Sequence, residues 1–182
     1  MKGSPSWPEE IPGEWKIEFL RWLGNVTGVK TLIETGTCEG VTPYRLRNDF
    51  DLILTIELHA GLFESASKRL DRLKNVRQYF GSSRNRLGEM IDDAKTDRIL
   101  FWFDAHGSGP HTADEGDPLP FELATIMQKC PRALIVVDDL KSDTMQHVID
   151  AGVSLDGWHR EYRTGEVIMF KENEYIIPSF ED

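Results

Sequence analysis

TLIETGTCEGVT, residues Thr31–Thr42, begins as a short β-rich run, reaches a carboxylate at Glu34 and then carries two glycines, Gly36 and Gly40, four residues apart. It reads as a strand, a tight loop and a helix start. Leu32 and Ile33 suit a strand buried in a parallel sheet, Glu34 stands at its carboxyl end, and the glycines bracket a turn where main chain can approach a ligand closely. In open α/β sheets, ligands bind outside that edge. The next strand candidate, DLILTIE at Asp51–Glu57, also closes on an acid. Glu57 follows Glu34 at roughly the twenty-residue separation at which nucleotide-binding folds place a carboxylate on ribose hydroxyls.

The same alternation continues on both sides. Met1–Gly13, rich in proline and glycine, is expected to form a flexible N-terminal arm, and residues 14–182 a single domain. In Glu14–Leu23 the residues Trp15, Ile17, Phe19, Leu20, Trp22 and Leu23 recur mostly at helical spacing, and Gly24-Asn25 supplies a stop. Val41–Asn48 is a short helix, Asp49–Glu57 the second strand, and Ala60–Leu73 a helix with Leu62, Phe63, Ala66, Leu70 and Leu73 on one stripe. Asn75–Phe80 is a third strand ended by Gly81-Ser82-Ser83, and Leu87–Ala94 another short helix. RILFWFD, Arg98–Asp104, is almost continuously apolar up to its terminal acid, as expected of the central strand of a sheet covered on both faces. Ala105–Leu119 is a long loop of small, polar and helix-breaking residues, of the kind that is usually functional or mobile. Phe121–Lys129 is a helix, ALIVV at Ala133–Val137 a strand ending in Asp138-Asp139, and Ser142–Ala151 a helix with Ser142 as N-cap. Trp158–Arg163 and Glu166–Lys171 flank Thr164-Gly165 as an antiparallel hairpin. These units predict a doubly wound, mostly parallel seven-stranded α/β sheet with a C-terminal antiparallel hairpin.

The bulk properties narrow the function. At 182 residues, a single domain buries roughly 70% of its unfolded surface. No apolar run approaches the roughly 20 residues that span a bilayer, and the first residues lack the hydrophobic stretch of a signal peptide, so a cytoplasmic protein with no membrane partner is expected. Cys38 and Cys130 lack metal-type spacing and read as free thiols. A net charge of −10 disfavours nucleic acid as a partner. Lys68, Arg69, Arg72, Lys74, Arg77, Arg84 and Arg86 nevertheless form a local basic segment. It reads either as a solvated helix face and loop or as a contact for a phosphate-bearing substrate. Trp7 and Trp15 would suit a homodimer contact.

Acids close four strands: Glu34, Glu57, Asp104, and Asp138 with Asp139. In parallel strands these carboxylates converge on one crevice, where unpaired they repel by several kcal/mol at an effective dielectric near 20. A ligand with hydroxyls and a positive centre can satisfy Glu34 and Glu57; a hard cation with oxygen ligands can satisfy Asp104, Asp138 and Asp139. Gly36-Thr37-Cys38-Glu39-Gly40 lacks the middle glycine of a dinucleotide loop, and Glu39 adds negative charge near any diphosphate. No tyrosine has a lysine four residues on, which removes the pattern of an NAD-dependent epimerase or reductase. The loop favours a ligand without phosphates.

ETGTCEG at the first strand, IE at Glu57, GSS after the third, FWFDAH at the fourth and VVDD at the fifth resemble, in order and spacing, the motifs of class I S-adenosylmethionine-dependent methyltransferases. The resemblance covers about Thr31–Lys171. It implies a Rossmann-like methyltransferase fold, with Glu34, Thr35, Gly36, Thr37 and Gly40 against the methionine part of the cofactor. It also implies Glu57 on the ribose hydroxyls, Gly81 and Ser82 near adenine, and Asp104 beside the cofactor. Many relatives carry an acid where Ser82 stands.

Within that superfamily, Asp104, Asp138 and Asp139 resemble the divalent-metal triad of catechol-type and macrolide-sugar O-methyltransferases. The resemblance implies Mg²⁺-assisted transfer to a hydroxyl of a small molecule or sugar. Where catechol-type enzymes have a lysine three residues after the first aspartate, this chain has Gly107. His106 is the nearest base, with an imidazole that titrates near neutral pH, and Asp104 and His106 are the catalytic candidates. Plainer readings stand beside these: Asp104 and Asp138 as helix caps or loop-amide acceptors, His106 and His111 as exposed loop residues, Ser82 and Ser83 as turn and N-cap, Cys38 as filler. The alternative function is a binding or regulatory module that keeps the fold and binds S-adenosylmethionine without transferring its methyl group.

Overall fold

The computed structural model describes residues 14–104, 117–138, 144–163, 166–171 and 174–177. In chain order the elements are α1 (Glu14–Thr27), β1 (Thr31–Thr35), α2 (Val41–Leu46), β2 (Leu52–Glu57), α3 (Ala60–Leu70), β3 (Val76–Phe80), α4 (Ser83–Ala94) and β4 (Leu100–Phe103), followed by α5 (Leu119–Lys129), β5 (Leu134–Val137), α6 (Thr144–Asp150), β6 (Trp158–Arg163) and β7 (Glu166–Lys171). The seven strands form one sheet in the order β3-β2-β1-β4-β5-β7-β6. β1 to β5 pair in parallel, and β7 joins β5 and β6 antiparallel. RILFWFD does hold the central strand, and the hairpin occupies the expected residues.

Side chains alternate across the sheet and build two cores. Ile33, Leu54, Phe101 and Ile135 face Leu87, Met90 and Ile91 of α4, Leu123 and Ile126 of α5, and Val148 of α6. Leu32, Ile53, Leu100, Trp102 and Val136 face Ile17, Leu20 and Leu23 of α1, Leu46 of α2, and Ala66 and Leu70 of α3. Trp15 packs, partly buried, against this second core with its ring 6.3 Å from that of Phe19; Trp7 lies outside the described residues.

α2 ends at Leu46 and α3 at Leu70, short of the expected Asn48 and Leu73, and α5 starts at Leu119, two residues early; α1 and α4 differ by about a turn. α1 continues through Gly24-Asn25 to Thr27. Gly24 is a packing residue, because a Cβ there would stand 2.9 Å from Cζ of the buried Phe50. The helix ends only before Gly28. α4 starts at Ser83, ahead of the expected Leu87; its first turn, Ser83-Arg84-Asn85-Arg86, is polar and gives the sequence no periodicity to reveal it.

The chain turns back on itself between β1 and β4. From β1 it winds outward through β2 and β3, then returns to continue through β4 and β5 on the other side. This is a topological switch point, and its crevice opens at the carboxyl ends of β1 and β4.

Candidate functional site

Main-chain hydrogen bonds carry the ladder one step past the strands. The amides of Gly36 and Thr37 donate to Ile56 O at 3.0 and 3.1 Å, Asp104 N to Thr35 O at 3.2 Å, Asp138 N to Phe103 O at 3.0 Å, and Gly81 N to Glu57 O at 2.9 Å. Since Thr35 pairs with Ile56 and Phe103, and Phe103 with Val137, the residues Glu57, Gly36, Asp104 and Asp138 occupy one row across four neighbouring strands. The structure thus brings together the acids expected from β2, β4 and β5. Asp139, His106 and His111 lie outside the described residues, as does the N-cap Ser142.

Glu34 is enclosed, with 1% of its surface exposed. Thr55 Oγ1 donates to Glu34 Oε2 at 2.6 Å, and the hydroxyls of Thr37 and Thr55 are 2.6 Å apart. Because Thr55 gives its one proton to Glu34, Thr37 donates to Thr55. Burial is the main reason the Glu34 carboxyl is pushed up to about 8; the negative charges of Asp104 and Glu57 add to it, while hydrogen bonds from Thr55 and Thr42 oppose it.

Glu57, also buried, accepts the Cys38 amide on Oε2 and the His59 amide on Oε1, both at 2.8 Å. Each carboxylate oxygen can accept a second hydrogen bond, so the group is fixed without being saturated. Between the two acids the loop turns through Gly36 at φ 88° and Gly40 at φ 72°. Gly40 also lets α2 close onto α3: a Cβ there would meet Leu70 Cδ1 at 3.0 Å and Ala66 Cβ at 3.2 Å. Thr35 Oγ1 is buried beside this loop, with no hydrogen-bond partner among the described residues. A bound ligand offering hydroxyls and a cationic amine fits this donor and acceptor set.

At the end of β3, Ser82 takes the N-cap position of α4 without a side-chain capping bond. Phe80 beside it is 47% exposed and packs against Phe63, ring centres 5.3 Å apart. Cys38 is an exposed free thiol whose pKa is raised by burial first and by neighbouring carboxylates second, so it is not a thiolate nucleophile. Cys130 is buried, and its thiol donates to Asp97 O at 3.1 Å. In the basic segment, Arg84 lies 3.5 Å over the Phe121 ring, and Arg86 pairs with Glu89 at 2.8 Å. Those two side chains serve surface packing.

The residue missed by sequence reasoning is Lys16. From α1 its ammonium forms an ion pair with Asp138 Oδ2, lies 3.9 Å from Asp104 Oδ1 and stands 5.7 Å from the centre of the Trp102 ring. One signal was available: Lys16, Leu20 and Leu23 follow i, i+4, i+7 spacing, so Lys16 begins an apolar stripe where a charge needs a buried partner. Thr55, which fixes Glu34, gave no signal beyond its place in a strand. Among the described residues, no group of three or more His, Cys, Asp or Glu is placed to hold a metal ion. Lys16 is already paired with two of the three aspartates expected to hold a divalent cation, and the third, Asp139, lies outside the described residues.

No protein-family model matches the chain, and no curated protein matches it. Solved structures do. The O-methyltransferase TomG from Streptomyces achromogenes, involved in tomaymycin synthesis and solved with S-adenosylmethionine, has a TM-score of 0.63 at 18% identity, over 90% of this chain and 82% of that one. An O-methyltransferase from Bacillus cereus with bound S-adenosylhomocysteine has a TM-score of 0.64 at 14% identity, over 91% and 84%. A putative caffeoyl-CoA O-methyltransferase from Staphylococcus aureus has 0.63 at 16% identity, over 87% and 84%. With its strand order, its closing hairpin and its crevice at the β1/β4 switch point, the chain has the fold of the class I S-adenosylmethionine-dependent methyltransferases.

Proposed function

We propose that the protein is an S-adenosylmethionine-dependent methyltransferase acting on a hydroxyl of a small molecule or sugar. The observation that carries this is the buried pair Glu34 and Glu57, held by hydrogen bonds on either side of the Gly36–Gly40 turn at the switch point. Glu57 is the ribose acceptor, and the hydrogen bond that it accepts from the Cys38 amide ties the loop to β2. The Gly36–Gly40 main chain lines the methionine part, and Glu34, enclosed behind it, holds the loop's base through Thr55 and Thr37. Gly81 and Ser82, with the exposed Phe80 face, receive the adenine. S-adenosylmethionine supplies an activated methyl group on a sulfonium, so the chain's contribution is proximity, alignment and removal of the hydroxyl proton. Asp104, on the crevice side of the row, is the acid nearest the transfer, and His106 remains the proposed base. Solved structures of this fold that carry the name O-methyltransferase support the acceptor class.

The finer expectation of Mg²⁺ assistance has one observation in its favour: Asp104 and Asp138 are close enough to share a single cation. In this structure that cation is the Lys16 ammonium, so a metal enters only if Lys16 withdraws. No step is assigned to it.

The test is calorimetric titration with S-adenosylmethionine, and with NAD as control. Micromolar binding of the first and none of the second is expected, and absence of S-adenosylmethionine binding overturns the reading. Methyl transfer to hydroxylated acceptors then separates an enzyme from a binding module.

A further inference from the structure

We infer that Lys16 is a built-in cation occupying the position of a divalent metal between Asp104 and Asp138, so that it offsets one of their two negative charges without a metal, and that a metal is admitted there only when Lys16 is removed. The inference departs from the metal-assisted form of the proposed function, while its test does not depend on methyl transfer.

Asp138 has a side chain only 1% exposed at the end of a buried strand, and its amide is held by Phe103 O. A carboxylate in that position needs a counter-charge, because burial of an uncompensated ion is strongly unfavourable. The counter-charge arrives from 122 residues earlier in the sequence, on a helix anchored in the core through Ile17, Leu20 and Leu23. Lys16 stands on the buried stripe of that helix, and its side chain is itself only 25% exposed. Its ammonium lies against both aspartates and near the Trp102 face, which adds a cation–π contact. The pair is therefore bridged by one cation fixed in three elements, α1, β4 and β5.

A divalent ion prefers carboxylate oxygens in near-octahedral geometry. On these same oxygens it would stand beside a fixed positive charge, with Coulomb repulsion little screened at partly buried positions. Lysine and metal are alternatives at this site. The lysine has the advantage of needing no ion from solution.

The experiment compares Mn²⁺ binding, by calorimetry and by its electron paramagnetic resonance signal, to the wild-type chain, Lys16→Met and the double variant Lys16→Met/Asp104→Asn. The wild type is expected to bind no Mn²⁺ at concentrations up to about 1 mM and to show no Mn²⁺-dependent rise in Tm. Lys16→Met is expected to bind one Mn²⁺ at least tenfold more tightly than wild type, with its Tm rising on addition, and the double variant to lose this gain. Lys16→Gln, which keeps a hydrogen-bond donor near Asp138, replaces Lys16→Met if the latter does not fold. Wild-type binding as tight as that of the variant would overturn the inference, and so would a folded variant that binds no Mn²⁺. S-adenosylmethionine titration of the same wild-type sample without metal keeps the two readings apart: its failure sinks the proposed function and leaves the manganese comparison standing.

Discussion

Glu34→Gln is the substitution whose effect can be worked furthest. Enclosure in β1 and the charges of Asp104 and Glu57 raise its carboxyl from an ordinary 4.5 to about 8. In the unfolded chain the group ionises above 4.5, whereas in the folded protein it keeps its proton to about 8. Between those values every pH unit removes about 1.4 kcal/mol of stability from the wild type. Below the window both states are protonated and the cost is absent; above it both are ionised and the cost levels off. Across the window the loss amounts to about 5 kcal/mol. Glutamine cannot ionise, and its amide oxygen can still accept the Thr55 hydroxyl. Urea unfolding of both proteins from about pH 5 to about pH 8 should show the variant gaining about 1 kcal/mol on the wild type per pH unit. At the alkaline end the difference in Tm should be on the order of 10 °C for a chain of this size. All other titrating groups are shared, so the difference isolates residue 34. A difference that stays flat over that range would mean that Glu34 is ionised in the folded protein, and the reasoning would fail.

Gly40→Ala places a side chain at φ 72° against Leu70 and Ala66, and should lower stability by about 1–3 kcal/mol, read as a lower urea midpoint; an unchanged midpoint would mean that α2 and α3 are not in close contact there. Glu57→Gln removes the charge from the proposed ribose contact and should weaken S-adenosylmethionine binding roughly 10–100-fold by calorimetry, with unaltered affinity as the contrary result. In thiol labelling of the native protein near neutral pH, Cys38 should react slowly because burial raises its pKa. Cys130, pushed up to about 12, should react only after unfolding; rapid labelling of two thiols in the native state would contradict the structure.

The doubly wound sheet was legible because each buried strand announces itself as an apolar run ending in an acid, and because glycines mark the loops that follow. LFWF and LIVV could be nothing but central strands covered on both faces. Helix limits were less legible where a residue's reason for being present is tertiary. Gly24 looks like a stop until the ring of Phe50 is known to lie against it. The polar opening of α4 hides a turn of helix from any argument based on periodicity. Likewise the strand-end carboxylates could be read as a convergent set, but not which charges offset them. Lys16 and Asp138 are 122 residues apart in the chain, and nothing local to either discloses the other. Thr55 is one β-branched strand residue among several, and only its register opposite Glu34 turns it into that residue's hydrogen-bond donor.

The row Glu57–Gly36–Asp104–Asp138 acts as a ruler. Adjacent strands stand about 4.8 Å apart, so its four positions span roughly 14 Å from first to last. That span is set by main-chain hydrogen bonding, not by the loops that leave each strand. Three marks on the ruler carry acids, and the fourth, Gly36, is a notch with no side chain to fill it. Loops beyond the strand ends can therefore be exchanged while the interval between Glu57 and the acids at the far end stays constant.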